Sequence, residues 1–345
     1  MAAVTALAVH RVRDGIVTAT GTRAEPAEAS TPVEVRARVR AQLASLLTRL
    51  DLPVPGRGRS RARFEALAQA SRQSLGVGRL VEAHADGMAI LSDAGAGDVD
   101  ALGLLGVWAS DRAGAVRIVI DEVGVACLVG VKPFCSGATV LDHALVTART
   151  ADGVQLCLVD LADRGVHVEA SDWVGPGMRS TETRTVRFDG APCVPVGPVG
   201  WYLTRPGFWH GATGVAASWF GGALGIVDAV LAGVDERDPH QVALLGDVEA
   251  TRFALESCLQ RAADEIDRAP DDVSGARIRA LRTRRIVAEG CLRIIRDAGD
   301  ALGPRALAFD EAHAQRVVDL EVYVRQDHGR HDSEALGRAV LEAGG

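Results

Sequence analysis

Between about Leu102 and Phe188 the apolar residues alternate with a period of two, whereas on both sides they recur at helical spacing. A chain built this way folds as helices, then a compact β unit, then helices again, which places it in the α+β class. Candidate strands are 102–108, 116–121, 124–131, 144–149, 154–160, 166–170 and 183–188, separated by Gly, Asp and Pro turns. Seven short strands at that spacing predict a barrel or two stacked sheets.

The flanking helices announce their starts. Thr31, Pro32 and Glu34 form a capping box ahead of a helix running to about Leu50, after an N-terminal arm over residues 1–30. Two further helices are predicted over 61–75 and 78–94, the second with Leu80, His84, Met88 and Leu91 on one stripe, where His84 reads as a core histidine. After the β unit, 208–232 is apolar on most sides and reads as a core helix. Asp238, Pro239 and Gln241 cap the next helix, to about Asp267. A long helix over 277–302 ends at Gly303-Pro304, and a pair over 310–326 and 332–341 closes the chain as a bundle. The expected division is therefore residues 1–100 helical, 101–196 β and 197–345 helical bundle.

Composition narrows the function classes. The 345 residues carry a formal charge of -7 with a pI near 5.7, which gives no basic footprint for nucleic acid. No apolar run is read as long enough and free enough of charge to span a bilayer, which takes roughly 18 residues. The N-terminus carries no secretory pattern, so a cytoplasmic location is expected. Cys127, Cys135, Cys157, Cys193, Cys258 and Cys291 form no C-x-x-C pair and read as buried hydrophobes in a reducing compartment. His313, His328, His331 and Asp332 lack ligand-like spacing and read as solvated helix ends rather than a metal site. Arg277, Arg279, Arg282, Arg284 and Arg285 read as a salt-bridged helix face.

The chemistry concentrates in Gly130–Ala148, where two strand-like runs are joined by an aromatic, a thiol, a hydroxyl and a glycine. Phe134 can lie flat on a planar ring, Ser136 can hydrogen-bond a ligand, and Gly137 lets backbone approach one closely. The same residue types also build plain hairpin corners, and that reading stays open.

The run Gly130, Lys132, Phe134, Cys135, Ser136, Gly137, Ala138 and Asp142 resembles the flavin-binding strand turn of acyl-CoA dehydrogenases, with Phe134 where that family usually has Trp. The segment 79–95 is similar to the end of that family's N-terminal helical domain. Ser180, Thr181, Phe188, Asp189, Val194 and Pro195 are similar to its exit strand, with Pro192 as a local departure. The resemblance covers roughly residues 60–340. It implies an acyl-CoA dehydrogenase-like fold with an N-terminal helical domain, a central β domain and a C-terminal bundle.

By the same resemblance, FAD lies between the β domain and the bundle, against Phe134, Cys135, Ser136 and Gly137. The family's first flavin segment corresponds to Trp108-Ala109-Ser110-Asp111, and its bundle glycine turn to Gly303. The catalytic base position falls on Asp327, or on His328 if the offset slips by one. The implied activity is oxidation of an acyl thioester, or a related small-molecule substrate, at its α,β carbons with hydride transfer to FAD. A flavin monooxygenase on the same fold and a partner subunit without chemistry are the alternatives. Homo-oligomerisation as a dimer or tetramer is expected from the family and from the apolar 208–232 helix.

Overall fold

Thr31 opens the first helix as its side chain predicts: its Oγ1 accepts from the Glu34 amide at 3.3 Å while Glu34 Oε2 accepts from the Thr31 amide at 2.7 Å. Helix α1 then runs Pro32–Leu47, followed by α2 (Ser60–Gln73) and α3 (Leu75–Asp93). The computed structural model describes residues 31–97, 99–110 and 116–344. The arm expected over residues 1–30, and Asp111, lie outside it.

All seven predicted strands occur: β1 (Leu105–Trp108), β2 (Arg117–Ile120), β3 (Ala126–Cys135), β4 (His143–Thr150), β5 (Gly153–Asp160), β6 (Val166–Val168) and β7 (Arg184–Val196). The sheet order β1-β4-β2-β3-β7-β5, together with the β4–β5 pairing, closes five strands into a ring, with β1 and β6 attached to it. Its interior is filled by Leu128, Ala144, Val146, Cys157, Val186 and Phe188. Two strands outrun the expectation. β7 continues to Val196 despite Pro192 and Pro195, which pair with Cys127 and Cys157. β3 carries its pairing beyond Pro133 to Cys135 across a register shift, so Phe134 and Cys135 belong to a bulged strand end rather than to the turn.

The chain returns to helix with α4 (Trp201–Thr204), a short turn that the periodicity did not mark, and then α5 (Pro206–Gly233), α6 (Pro239–Arg268), α7 (Val273–Phe309), α8 (Glu311–Tyr323) and α9 (Arg330–Gly344). Asp238 caps α6 by accepting from the His240 and Gln241 amides, but Gln241 turns its Oε1 to the Asp235 amide, so the expected capping box does not close. The long helix within α7 ends at Gly303-Pro304 as expected: Gly303 leaves helical geometry at φ 65°, ψ -173°, and a second, short helical stretch follows to Phe309.

One expectation is corrected by α5. Residues 206–227 contain no Asp, Glu, Lys or Arg, so by length and composition this helix could cross a membrane. Two thirds of its most apolar window is buried against protein, at 67%. Ala216, Ala217, Trp219, Phe220, Ile226 and Val230 stand in one core cluster with residues of α1, α2, α3, α6, α7 and α8. Each large apolar side chain buried there stabilises the fold by about 1.5–3 kcal/mol. The first and last helical stretches thus share a single core, and the sheet leans on it through α3.

Candidate functional site

Pro133 ends the regular part of β3, and Phe134 follows with φ 61°, a left-handed conformation that costs a non-glycine residue about 1–2 kcal/mol. The residue remains 52% exposed, unusual for a large apolar residue held in a strained backbone. Beyond it the chain folds tightly. The Ser136 amide donates to Phe134 O at 3.1 Å, and the Gly137 amide donates to Thr181 O at 2.8 Å. Gly137 has φ 77°, and a Cβ there would meet Leu141 Cδ1 at 2.6 Å and Leu80 Cδ2 of α3 at 3.2 Å, so only glycine lets the turn seat on the helix.

Hydroxyls converge behind Phe134. Thr183 Oγ1 donates to Ser136 Oγ at 3.1 Å, and the Thr181 and Thr183 hydroxyls lie 2.7 Å apart. Trp108, buried at the end of β1, donates from Nε1 to Ser136 O at 3.0 Å, so it fixes the turn from below. Ser110 follows two residues later, half-buried. Cys135 points the other way: its Sγ is buried and donates to Lys132 O, and burial pushes the thiol well above its ordinary range. Lys132 holds the sheet, donating from a buried Nζ to Thr147 O at 3.0 Å and Thr147 Oγ1 at 2.7 Å.

Asp327 and His328 lie in the turn between α8 and α9. Asp327 is 9% exposed, buried rather than a surface carboxylate, and accepts from Arg285 Nη1 at 2.5 Å through Oδ2. Its Oδ1 is buried without a hydrogen-bond partner among the described residues. His328 stays open, with a side chain 57% exposed and its Nδ1 3.4 Å from Asp332 Oδ1. The His328 amide also donates to Asp332 Oδ2. Burial works to raise the Asp332 pKa, but the His328 amide and His331 outweigh it and hold the carboxyl below its ordinary value. His313, expected at a solvated helix end, is 1% exposed instead.

Trp108, Phe134, Ser136 and Gly137 therefore form one group, and Asp327 and His328 another. No hydrogen bond or ion pair joins the groups directly among the described residues. α3 connects them: Gly76 packs against Ser180 beside the turn, and Glu82 accepts from Tyr323 Oη at 3.4 Å at the end of α8. Gly303 joins neither group. A Cβ built on it would meet nothing within 4 Å, so its role in the structure is the kink of α7.

The periodicity missed a charged face on α3. Arg79, Glu82 and Asp86, three and four residues apart, turn toward the core instead of solvent, while Asp93, seven residues further on, is exposed. Arg79 Nη1 donates to Glu82 Oε2 at 2.5 Å, and Arg205 Nη1 donates to Asp93 Oδ2 at 2.7 Å. Burial raises the Glu82 and Asp86 carboxyls above their ordinary values, partly offset by the nearby arginines. The available signal is the spacing itself, which a solvent-facing side of an amphipathic helix shares. His84 fills the structural role expected of it, accepting from the Leu105 amide at 3.1 Å through Nδ1. The Arg-rich stretch of α7 is ion-paired as expected at Arg277 with Glu342, Arg282 with Glu265 and Arg285 with Glu289, but Arg279, also on Glu265, is buried, and Arg284 donates to the Ala212 and Gln326 carbonyls instead.

No protein-family model matches this chain, and no curated protein matches its sequence. Solved structures do match its shape. The dibenzothiophene monooxygenase TdsC from Paenibacillus sp. A11-2, crystallised with FMN and indole, superposes with TM-score 0.76 at 20% identity over 90% of this chain and 94% of its own. Butyryl-CoA dehydrogenase from Megasphaera elsdenii gives 0.71 at 13% identity, covering 91% of this chain and all (100%) of its own. XiaF from Streptomyces sp., in complex with FADH2 and glycerol, gives 0.69 at 20% identity over 89% and 87%. At such identities the likeness concerns the fold, and the chain has the acyl-CoA dehydrogenase-like fold.

Proposed function

We propose that this protein is a flavin-dependent oxidoreductase whose flavin ring lies against Phe134 and hydrogen-bonds to Ser136. The observation that carries the reading is the half-exposed Phe134, held in a left-handed backbone beside a hydroxyl cluster. The residues present fit the group. Ser136 Oγ accepts from Thr183, which leaves its own proton to donate, and the Phe134 face is open for stacking. Bound there, a flavin supplies a two-electron donor or acceptor. Flavins are also what TdsC and XiaF carry in their crystals. The resemblance favours FAD; the TdsC crystal holds FMN, so FMN is the second form to test.

Of the two reactions, oxidation of an acyl thioester requires a free base near the flavin. Asp327 Oδ2 is engaged by Arg285 and so is not free to take a substrate proton, whereas His328 is accessible and oriented by Asp332. We assign His328 to proton transfer and Asp327 to holding the turn.

The test is a fluorescence and calorimetric titration of the purified protein with FAD and, separately, FMN. Saturable binding at micromolar concentration, weakened tenfold or more by Phe134→Ala, is expected. Absence of saturable binding by either flavin would remove the enzyme reading and leave that of a partner subunit.

A further inference from the structure

The segment 176–183, which leads into β7, carries two of the three non-glycine residues with a left-handed backbone among the described residues, Met178 at φ 57° and Glu182 at φ 47°. The third is Phe134. Such a conformation persists only where the surroundings over-determine it, and here the two strained stretches hold each other. The Thr181 amide donates to Met178 O at 3.1 Å, the Gly137 amide donates to Thr181 O at 2.8 Å, and Thr183 Oγ1 donates to Ser136 Oγ at 3.1 Å. Met178 therefore starts a series of hydrogen bonds that ends in the turn of Phe134, Ser136 and Gly137.

That series is anchored on α8. The Met178 amide donates to Asp319 Oδ1 at 2.5 Å. Gln315 Nε2, one helical turn earlier, donates to the same oxygen at 2.7 Å and to Pro176 O at 3.1 Å. Asp319 is 6% exposed, so these donors offset the burial of its carboxyl and in turn fix the segment against the helix. The approach is close: a Cβ on Gly177 would collide with Val318 O and lie 2.6 Å from Val322 Cγ2, so only glycine lets the segment seat there. α8 ends at Tyr323, and the turn that carries Asp327 and His328 follows.

Building on the flavin-site reading, we infer that Asp319 is a positioning residue of that site: through Met178 and Thr181 it sets where Phe134 and the Ser136 hydroxyl stand, and it does so from the helix that leads to Asp327 and His328. Deleting its acceptor leaves the buried Met178 amide without a partner and releases the segment that supports the strained turn.

Asp319→Leu keeps the bulk and removes the acceptor, whereas Asp319→Asn keeps an acceptor for the Met178 amide. Each variant and the parent are titrated with FAD and FMN by fluorescence well below the melting temperature, and amide exchange is followed by mass spectrometry. Asp319→Leu is expected to weaken flavin about tenfold or more, to shift the absorption of bound flavin toward that of free flavin, and to speed exchange at 135–138 and 178–183. Asp319→Asn is expected to bind flavin within about threefold of the parent, with protection retained. A role confined to stability would lower the melting temperature of Asp319→Leu and leave the affinity of the folded protein unchanged. Should Asp319→Leu not fold, Gln315→Met, which removes the contacts to Asp319 and Pro176, is expected to weaken flavin about threefold and to speed exchange over the same residues. Parental flavin affinity in the folded Asp319→Leu protein, or in Gln315→Met where that variant replaces it, or an Asp319→Asn protein as weak as Asp319→Leu, would overturn the assignment and leave the flavoprotein reading standing. Absence of flavin binding by the parent removes that reading and the assignment of Asp319 with it.

Discussion

The Arg284 guanidinium stacks on the ring of Trp219, 4.6 Å from its centroid, and in that position donates to Ala212 O of α5 at 3.1 Å and to Gln326 O at 2.6 Å, one residue before Asp327. One side chain of α7 thereby ties the core helix to the turn that carries Asp327 and His328. Arg284→Met keeps much of the apolar stem and loses the three polar interactions. It is expected to destabilise the protein by roughly 1–3 kcal/mol and to speed amide exchange selectively at 327–329. Uniform protection in hydrogen-exchange mass spectrometry would show that the turn is held by other means.

Phe134 separates stability from binding. Since its φ of 61° suits glycine, Phe134→Gly is expected to leave the stability unchanged or raise it, by up to about 1 kcal/mol, read as an unchanged or higher melting temperature. The same change removes the stacking face, so flavin affinity is expected to fall at least tenfold. Ser136→Ala should weaken flavin more modestly, with little change in melting. A Phe134→Gly protein that binds flavin normally would detach the strained residue from the site.

For proton transfer, His328→Gln is expected to slow the reaction about a hundredfold, followed as anaerobic bleaching of bound flavin by an acyl thioester or as oxygen uptake by the reduced protein. Asp332→Asn should slow it less, by about tenfold, because it only orients the ring. Asp327→Asn leaves Arg285 without its buried partner and should cost about 1–3 kcal/mol of stability with a rate within a few-fold of the parent. A hundredfold loss confined to Asp327→Asn would transfer the base role to Asp327.

His210 sets an acid limit. Burial first, then Arg279 and Arg205, depress its pKa from 6.5 to about 4. Between those values the unfolded chain binds a proton that the folded chain does not. Stability therefore rises with pH across that window, and His210 withdraws up to about 3 kcal/mol as pH falls through it. Glu82 and Asp86, whose pKa values are raised by burial, act with the opposite sign, so the comparison is made by difference. Relative to wild type, His210→Gln should flatten the dependence of denaturant midpoint on pH between about 4 and 6.5. Parallel curves for the two proteins would show that His210 titrates alike in both states.

By itself the sequence determined the order of elements, because periodicity and capping are local: the switch to alternation near Leu102, the Thr31 capping box and the Asp238 start signal all depend on residues within a few positions of each other. The turn at Phe134 was legible for the same reason, since Phe134, Ser136 and Gly137 are neighbours in the chain. What only the tertiary structure decided were matters of facing and pairing across long separations. Asp327 is a buried partner of Arg285, 42 positions away, and Arg205 reaches back 112 positions to Asp93. A helix with charges on one side gives the same pattern whether that side meets water or a second charged helix. Only the packing of α3 against α4 and α5 decided that Glu82, Asp86 and their arginines would be buried together.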